Sequence, residues 1–172
     1  MPYREIENAV SKPAWTIMSA SRCARKNWRR RCFNTSLTPG RMRPEHLPKL
    51  KDAGIKVVIS LRPHSEANGD REATKIKELG MSYFNIPVIF NEPDELDADD
   101  FLKLTDEQLK NGPVFIHCAV GTRVGAFWMI RRVLRDGWEF DKALEEANRI
   151  GLRNQAQLLE FAKAYIDKRK KK

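Results

Sequence analysis

The stretch Val114-Phe-Ile-His-Cys-Ala-Val-Gly-Thr-Arg-Val-Gly125 leaves few ways to fold the chain around it. Val114-Phe115-Ile116 is an apolar run of β type that ends at His117-Cys118. A short loop with one glycine follows, and Ala126-Phe127-Trp128-Met129-Ile130 reads as the start of a buried helix. A strand, a tight loop and a helix N-terminus make an anion site, because successive backbone N–H groups converge and the helix dipole favours negative charge. A cysteine at the strand end, facing that field and Arg123, is expected to be a thiolate near neutral pH. A thiolate inside an anion cradle is a nucleophile aimed at a bound oxyanion.

The rest of the chain alternates strands with helices, which predicts an α/β fold: a central, mostly parallel sheet of four to five strands flanked by helices. Ala14–Met18 is a candidate first strand. Arg43–Leu50 opens a short helix stopped by Gly54, and Lys56–Leu61 is a strand of buried type. Asp70–Leu79 carries Ala73, Ile76 and Leu79 on one helical face, and Met81–Pro87 is the next strand. The acidic segment Asn91–Asp100 leads into a helix that runs to about Lys110. Beyond the central stretch, helices are expected from Val124 to about Arg135, Phe140 to Ile150 and Gln155 to Ile166. Gly-x-x-x-x-Gly-Lys, Gly-x-Gly-x-x-Gly and His-Glu-x-x-His are all missing, so no nucleotide, dinucleotide or metal chemistry of those kinds is expected.

His117-Cys118, a spacer and Arg123 resemble the signature loop of the cysteine-dependent tyrosine and dual-specificity phosphatases. That loop usually holds five residues between Cys and Arg. Here there are four, Ala119, Val120, Gly121 and Thr122, and Val124 stands where those enzymes carry Ser or Thr. The shorter spacing is shared with rhodanese-like sulfurtransferases and with the bacterial-type phosphatase-like family associated with β-lactamase-fold hydrolases, whose loops read His-Cys-x-x-Gly-x-Arg. The second resemblance extends over Thr38–Ile166, through Val57-Val-Ile-Ser-Leu-Arg62, Ile86-Pro-Val88, Arg135-Asp-Gly-Trp138 and Ile150-Gly-Leu-Arg153.

The resemblance implies phosphate-monoester hydrolysis through a phosphocysteine on Cys118, with no cofactor. Arg123 and the amides of residues 119–122 bind the phosphoryl oxygens, and His117 supports the cysteine. Arg62 becomes a rim residue, and Asn154 or Gln155 orients water. The leaving group's proton comes from the acidic segment, from Asp94, while Asp97 is expected to cap the following helix. Thr122 is a candidate for the missing hydroxyl. A persulfide carrier on the same cysteine, or a phosphate-recognition module without turnover, are the alternatives.

Charge sits at the two ends. Up to Arg43 the chain carries ten basic and two acidic side chains, and Lys168–Lys172 is wholly basic, within a net charge of +9. The expected organisation is therefore a basic N-terminal extension over 1–36, a catalytic domain over 37–167 and a basic tail over 168–172. The extension reads as a solvated segment, as an organelle transit segment, or as a patch for nucleic acid or an anionic membrane. Cys23, Cys32 and Cys118 are odd in number and unevenly spaced, so a reducing, cytoplasmic setting is the default, with an organelle as the alternative.

Overall fold

The computed structural model describes residues 16–17, 35–37, 44–66, 69–153 and 155–171. In chain order these form β1 (Thr16–Ile17), β2 (Thr35–Leu37), a 3-10 turn at Pro44–His46, α1 (Leu47–Asp52), β3 (Val57–Ser60), α2 (Gly69–Glu78) and β4 (Ser82–Asn85). Then come α3 (Glu95–Gln108), β5 (Val114–His117), α4 (Thr122–Leu134), α5 (Phe140–Ile150) and α6 (Ala156–Lys170). The five described strands form one parallel sheet in the order β1-β2-β5-β3-β4. The last strand in sequence occupies the middle, paired to β2 through Leu37–Ile116 and to β3 through Ser60–His117.

Alternation along the central strands divides the interior in two, because successive side chains leave a strand on opposite faces. Val57, Ile59, Val114, Ile116 and Cys118 join the larger core with helices α3 to α6. Val58 and Phe115 join the smaller one with Leu47, Leu50 and Ile76 of α1 and α2. The same alternation sends His117, two residues after Phe115, to the α2 side. The two rings stack with centroids 5.8 Å apart.

Most of the expected elements stand where periodicity put them. β2 is the exception: Asn34–Gly40 reads as polar turn chemistry, yet Thr35–Leu37 pairs with the buried edge of β5. Partner strands, not its own apolar content, make it a strand. The sheet thus takes in two strands from around the segment expected to precede the domain, and the remainder of that segment lies outside the described residues. At the other end, α6 continues to Lys170, so residues 168–170 of the basic tail are helical. Lys168 Nζ sits 2.8 Å from Glu95 Oε2, and Arg169 Nη2 donates to Asp99 at 2.6 Å, which ties this end to α3. No helix of the described residues is long and apolar enough to cross a membrane.

Candidate active site

β5 delivers Cys118 to the carboxyl end of the sheet's middle strand, the usual place for a ligand in an open α/β sheet. The chain then turns through Ala119 and Val120, and Gly121 caps α4 with φ of 91°, a conformation that suits glycine. This geometry aims the Gly121 amide back at the cysteine, and its N–H donates to Cys118 Sγ at 3.1 Å. Gly125 N donates to Gly121 O, so the N–H groups of the first turn ahead of it have no partner within the helix. The loop is pressed from behind by the turn after α5. A Cβ on Gly151 would lie 2.9 Å from Val120 O, and its φ of 143° again suits glycine. Cys118 itself has no exposed surface, whereas Val120, at the lip, is 60% exposed.

Arg123 is 3% exposed and held on three sides. Nη1 donates to the carbonyls of Leu61 and Val88, both at 3.1 Å, and Nη2 donates to Glu66 Oε1 at 2.6 Å. Nε is buried with no hydrogen-bond partner, and so is the Thr122 hydroxyl beside it. Buried donors are nearly always satisfied, and two orphans in adjacent residues at a helix N-terminus mark a place for an oxygen-rich group.

Arg62, expected at the rim of the site, is buried beside Arg123's carboxylate partner. It is 7% exposed, and its Nε donates to Glu66 Oε2 at 3.2 Å, so Glu66 joins the two arginines. Asn85 Nδ2 donates to Arg62 O at 2.8 Å and holds the segment from behind. His117 is fully buried, with Nε2 at 3.3 Å from Glu72 Oε1. Burial, and then the positive charge of Arg62, lower its pKa to about 3, so the ring is neutral. Glu72 moves the other way: burial raises its carboxyl to about 7 against the pull of Arg62. Neither Glu66 nor Glu72 stands out in the sequence. A buried arginine requires a carboxylate partner, but nothing in the linear pattern says which one.

The acidic segment corrects the expected cap. Asp94, not Asp97, caps α3, and its Oδ1 accepts the Leu96 N–H at 3.2 Å. Asp97 lies one turn further on, half-buried, with its pKa raised first by burial. Upstream of the segment the Val88 carbonyl accepts from Arg123, and Gln157 of α6 donates to Asn91 O within it. Asn154 lies outside the described residues. Among the described residues no group of three or more His, Cys, Asp or Glu side chains is arranged to hold a metal ion.

Solved structures match this fold. One is a DUF442 phosphatase-like protein from Shewanella putrefaciens, 24% identical, covering 76% of this chain and 80% of that one with a TM-score of 0.61. Another is P. aeruginosa TpbA in complex with phosphotyrosine, 18% identical over 91% of this chain and 90% of that one, TM-score 0.65. A third is the core catalytic domain of the S. cerevisiae PP-IP phosphatase SIW14, 19% identical over 73% and 76%, TM-score 0.63. The fold is that of these phosphatase structures. No protein-family model and no curated protein sequence matches the chain. Within the phosphatase fold, the Cys118 loop and the start of α4 follow the sheet's middle strand directly.

Proposed function

We propose that the protein is a phosphoric monoester hydrolase working through a phosphocysteine. The observation that carries this reading is the pair of orphaned donors, Arg123 Nε and the Thr122 hydroxyl, at the helix start beside Cys118. In the first step the Cys118 thiolate attacks phosphorus as the P–O ester bond breaks, and the leaving oxygen takes a proton from the acidic segment. Water then attacks the phosphocysteine, the S–P bond breaks, and inorganic phosphate and the thiolate are released. Arg123 and the loop amides hold the equatorial oxygens, where charge develops. Asp94 is the acid first suggested by its position, although one of its oxygens is engaged in the α3 cap. Asp97, with its raised pKa, is the competing donor. Separate Asp94→Asn and Asp97→Asn variants identify the acid, since only its loss makes turnover depend steeply on the leaving group.

The test is hydrolysis of an aryl phosphate, inhibited by vanadate and reduced by about three orders of magnitude or more in Cys118→Ser. The four-residue loop favours a second reading, a persulfide carrier of the rhodanese kind. Thiocyanate formed from thiosulfate and cyanide, with no phosphate release, would replace the first reading by the second. Oxyanion binding with turnover in neither assay would make the site a recognition module.

A further inference from the structure

Behind the cradle, on the α2 side of the sheet, lies a cavity of about 50 Å3 whose lining includes Ser60, Arg62, Glu66, Glu72, Tyr83 and Asn85. Glu72 is 8% exposed, and neither of its carboxylate oxygens has a hydrogen-bond partner. It nevertheless sits in a chain of polar contacts that joins both ends of the signature loop. Glu72 Oε1 is 3.3 Å from His117 Nε2, and Oε2 is 3.8 Å from Arg62 Nη1. Arg62 contacts Glu66 at 3.2 Å, and Glu66 contacts Arg123 at 2.6 Å.

Counting charges shows why the protonation of this one residue matters. Among these groups Arg62 and Arg123 face Glu66 and the attacking thiolate, two charges of each sign. His117 adds nothing while its ring is uncharged. An ionised Glu72 would add one negative unit to these groups before a dianion arrived. From this arrangement we infer that Glu72 is a positioning residue that works in its neutral form. It packs the back of His117 without adding charge, and its ionisation weakens oxyanion binding by Arg123 and the loop. The inference rests on the cradle being an oxyanion site. It does not require hydrolysis.

Other titratable groups also face the cavity. Arg62 and Glu66 are already in the count, and Tyr83 approaches from β4. His64 lies at the edge. All of these stay unchanged when Glu72 alone is replaced, so comparing two proteins cancels them. Burial holds the Glu72 carboxyl near 7, so its charge appears within an accessible pH range. One added unit of charge near a dianion weakens binding roughly tenfold in a partly screened site.

The experiment is sulfate binding by calorimetry between pH 5.5 and 8.5, where sulfate stays a dianion, in a Cys118→Ser background that removes the thiol. With Glu72 present, affinity should fall roughly tenfold across a midpoint near pH 7. With Glu72→Gln the affinity should match the pH 6 value throughout, within about threefold. If that variant does not fold, Glu72→Leu, uncharged and of similar volume, should give the same flat profile. A glutamine or leucine variant that keeps the parent's pH dependence overturns the inference, as does a parent that shows none. Absence of sulfate binding in every protein removes the cradle and this inference together. Binding as described without aryl phosphate turnover sinks the hydrolase reading and leaves the role of Glu72 standing.

Discussion

Glu72 and His117 have opposite pKa shifts, and their effects on stability oppose each other. Glu72, raised from 4.5 to about 7, contributes stability that is full below pH 4.5 and is lost as pH rises through 7. His117, lowered from 6.5 to about 3, contributes stability that is full above pH 6.5 and is lost as pH falls through 3. Between those two unfolded values the folded pair and the unfolded pair each hold one proton, and the slopes cancel. Glu72→Gln should remove one slope and expose the other. The wild-type-minus-variant difference in unfolding free energy should then shrink with rising pH, by about 1 kcal/mol per pH unit between pH 5 and 6. Urea denaturation at three pH values measures this, and parallel curves for the two proteins would contradict it. At this scale the sequence was legible only in part. His117, Cys118 and Arg123 lie close together in one stretch and mark the candidate site. Glu66 and Glu72 look like any solvated carboxylates until β3, β5 and α2 bring them against Arg62, Arg123 and His117.

Among elements, the cradle depends on a neighbour that touches no substrate. The turn after α5 brings Gly151 against Val120 and Gly121, with no space for a side chain. Gly151→Ala should displace the loop amides and strain the turn, at a cost of about 1–3 kcal/mol in stability. The value of kcat/KM should also fall, well beyond the loss of folded protein. Thermal melting and aryl phosphate kinetics on the same preparation would check both, and unchanged kinetics would mean the loop is set by β5 and α4 alone. Apolar periodicity located β3, β5 and the helices, because each buries a continuous face. β2 was hidden because three residues among Thr, Ser and Leu carry no pattern of their own. The start of α3 was ambiguous for a local reason: Asp94 and Asp97 are both capping residues one turn apart, and only the backbone conformation of Asp94, φ −102° and ψ 151°, selects between them.

For the whole molecule, charge at the C-terminal end is less free than the sequence suggests. Lys168 and Arg169 are paired with Glu95 and Asp99 of α3. Such pairs near the surface contribute little to stability, but they reduce the positive charge offered to a polyanion. The double variant Glu95→Gln with Asp99→Asn should leave the melting temperature nearly unchanged and elute from heparin at higher salt. Equal elution would mean that this end contributes nothing to polyanion contact. Composition alone reads Lys168–Lys172 as a uniform basic block, since partners on another helix are invisible in a linear count.

The position of β5 has a further consequence for how the chain comes together. Among the described strands it is the last in sequence, yet it fills the central slot, so the four before it remain two separate pairs until it arrives. A nascent or truncated chain that stops short of Ile116 therefore lacks Cys118 and also the seam between the sheet's two halves. Lesions in Val114–His117 should accordingly appear first as failures of assembly, with chemistry lost as a by-product.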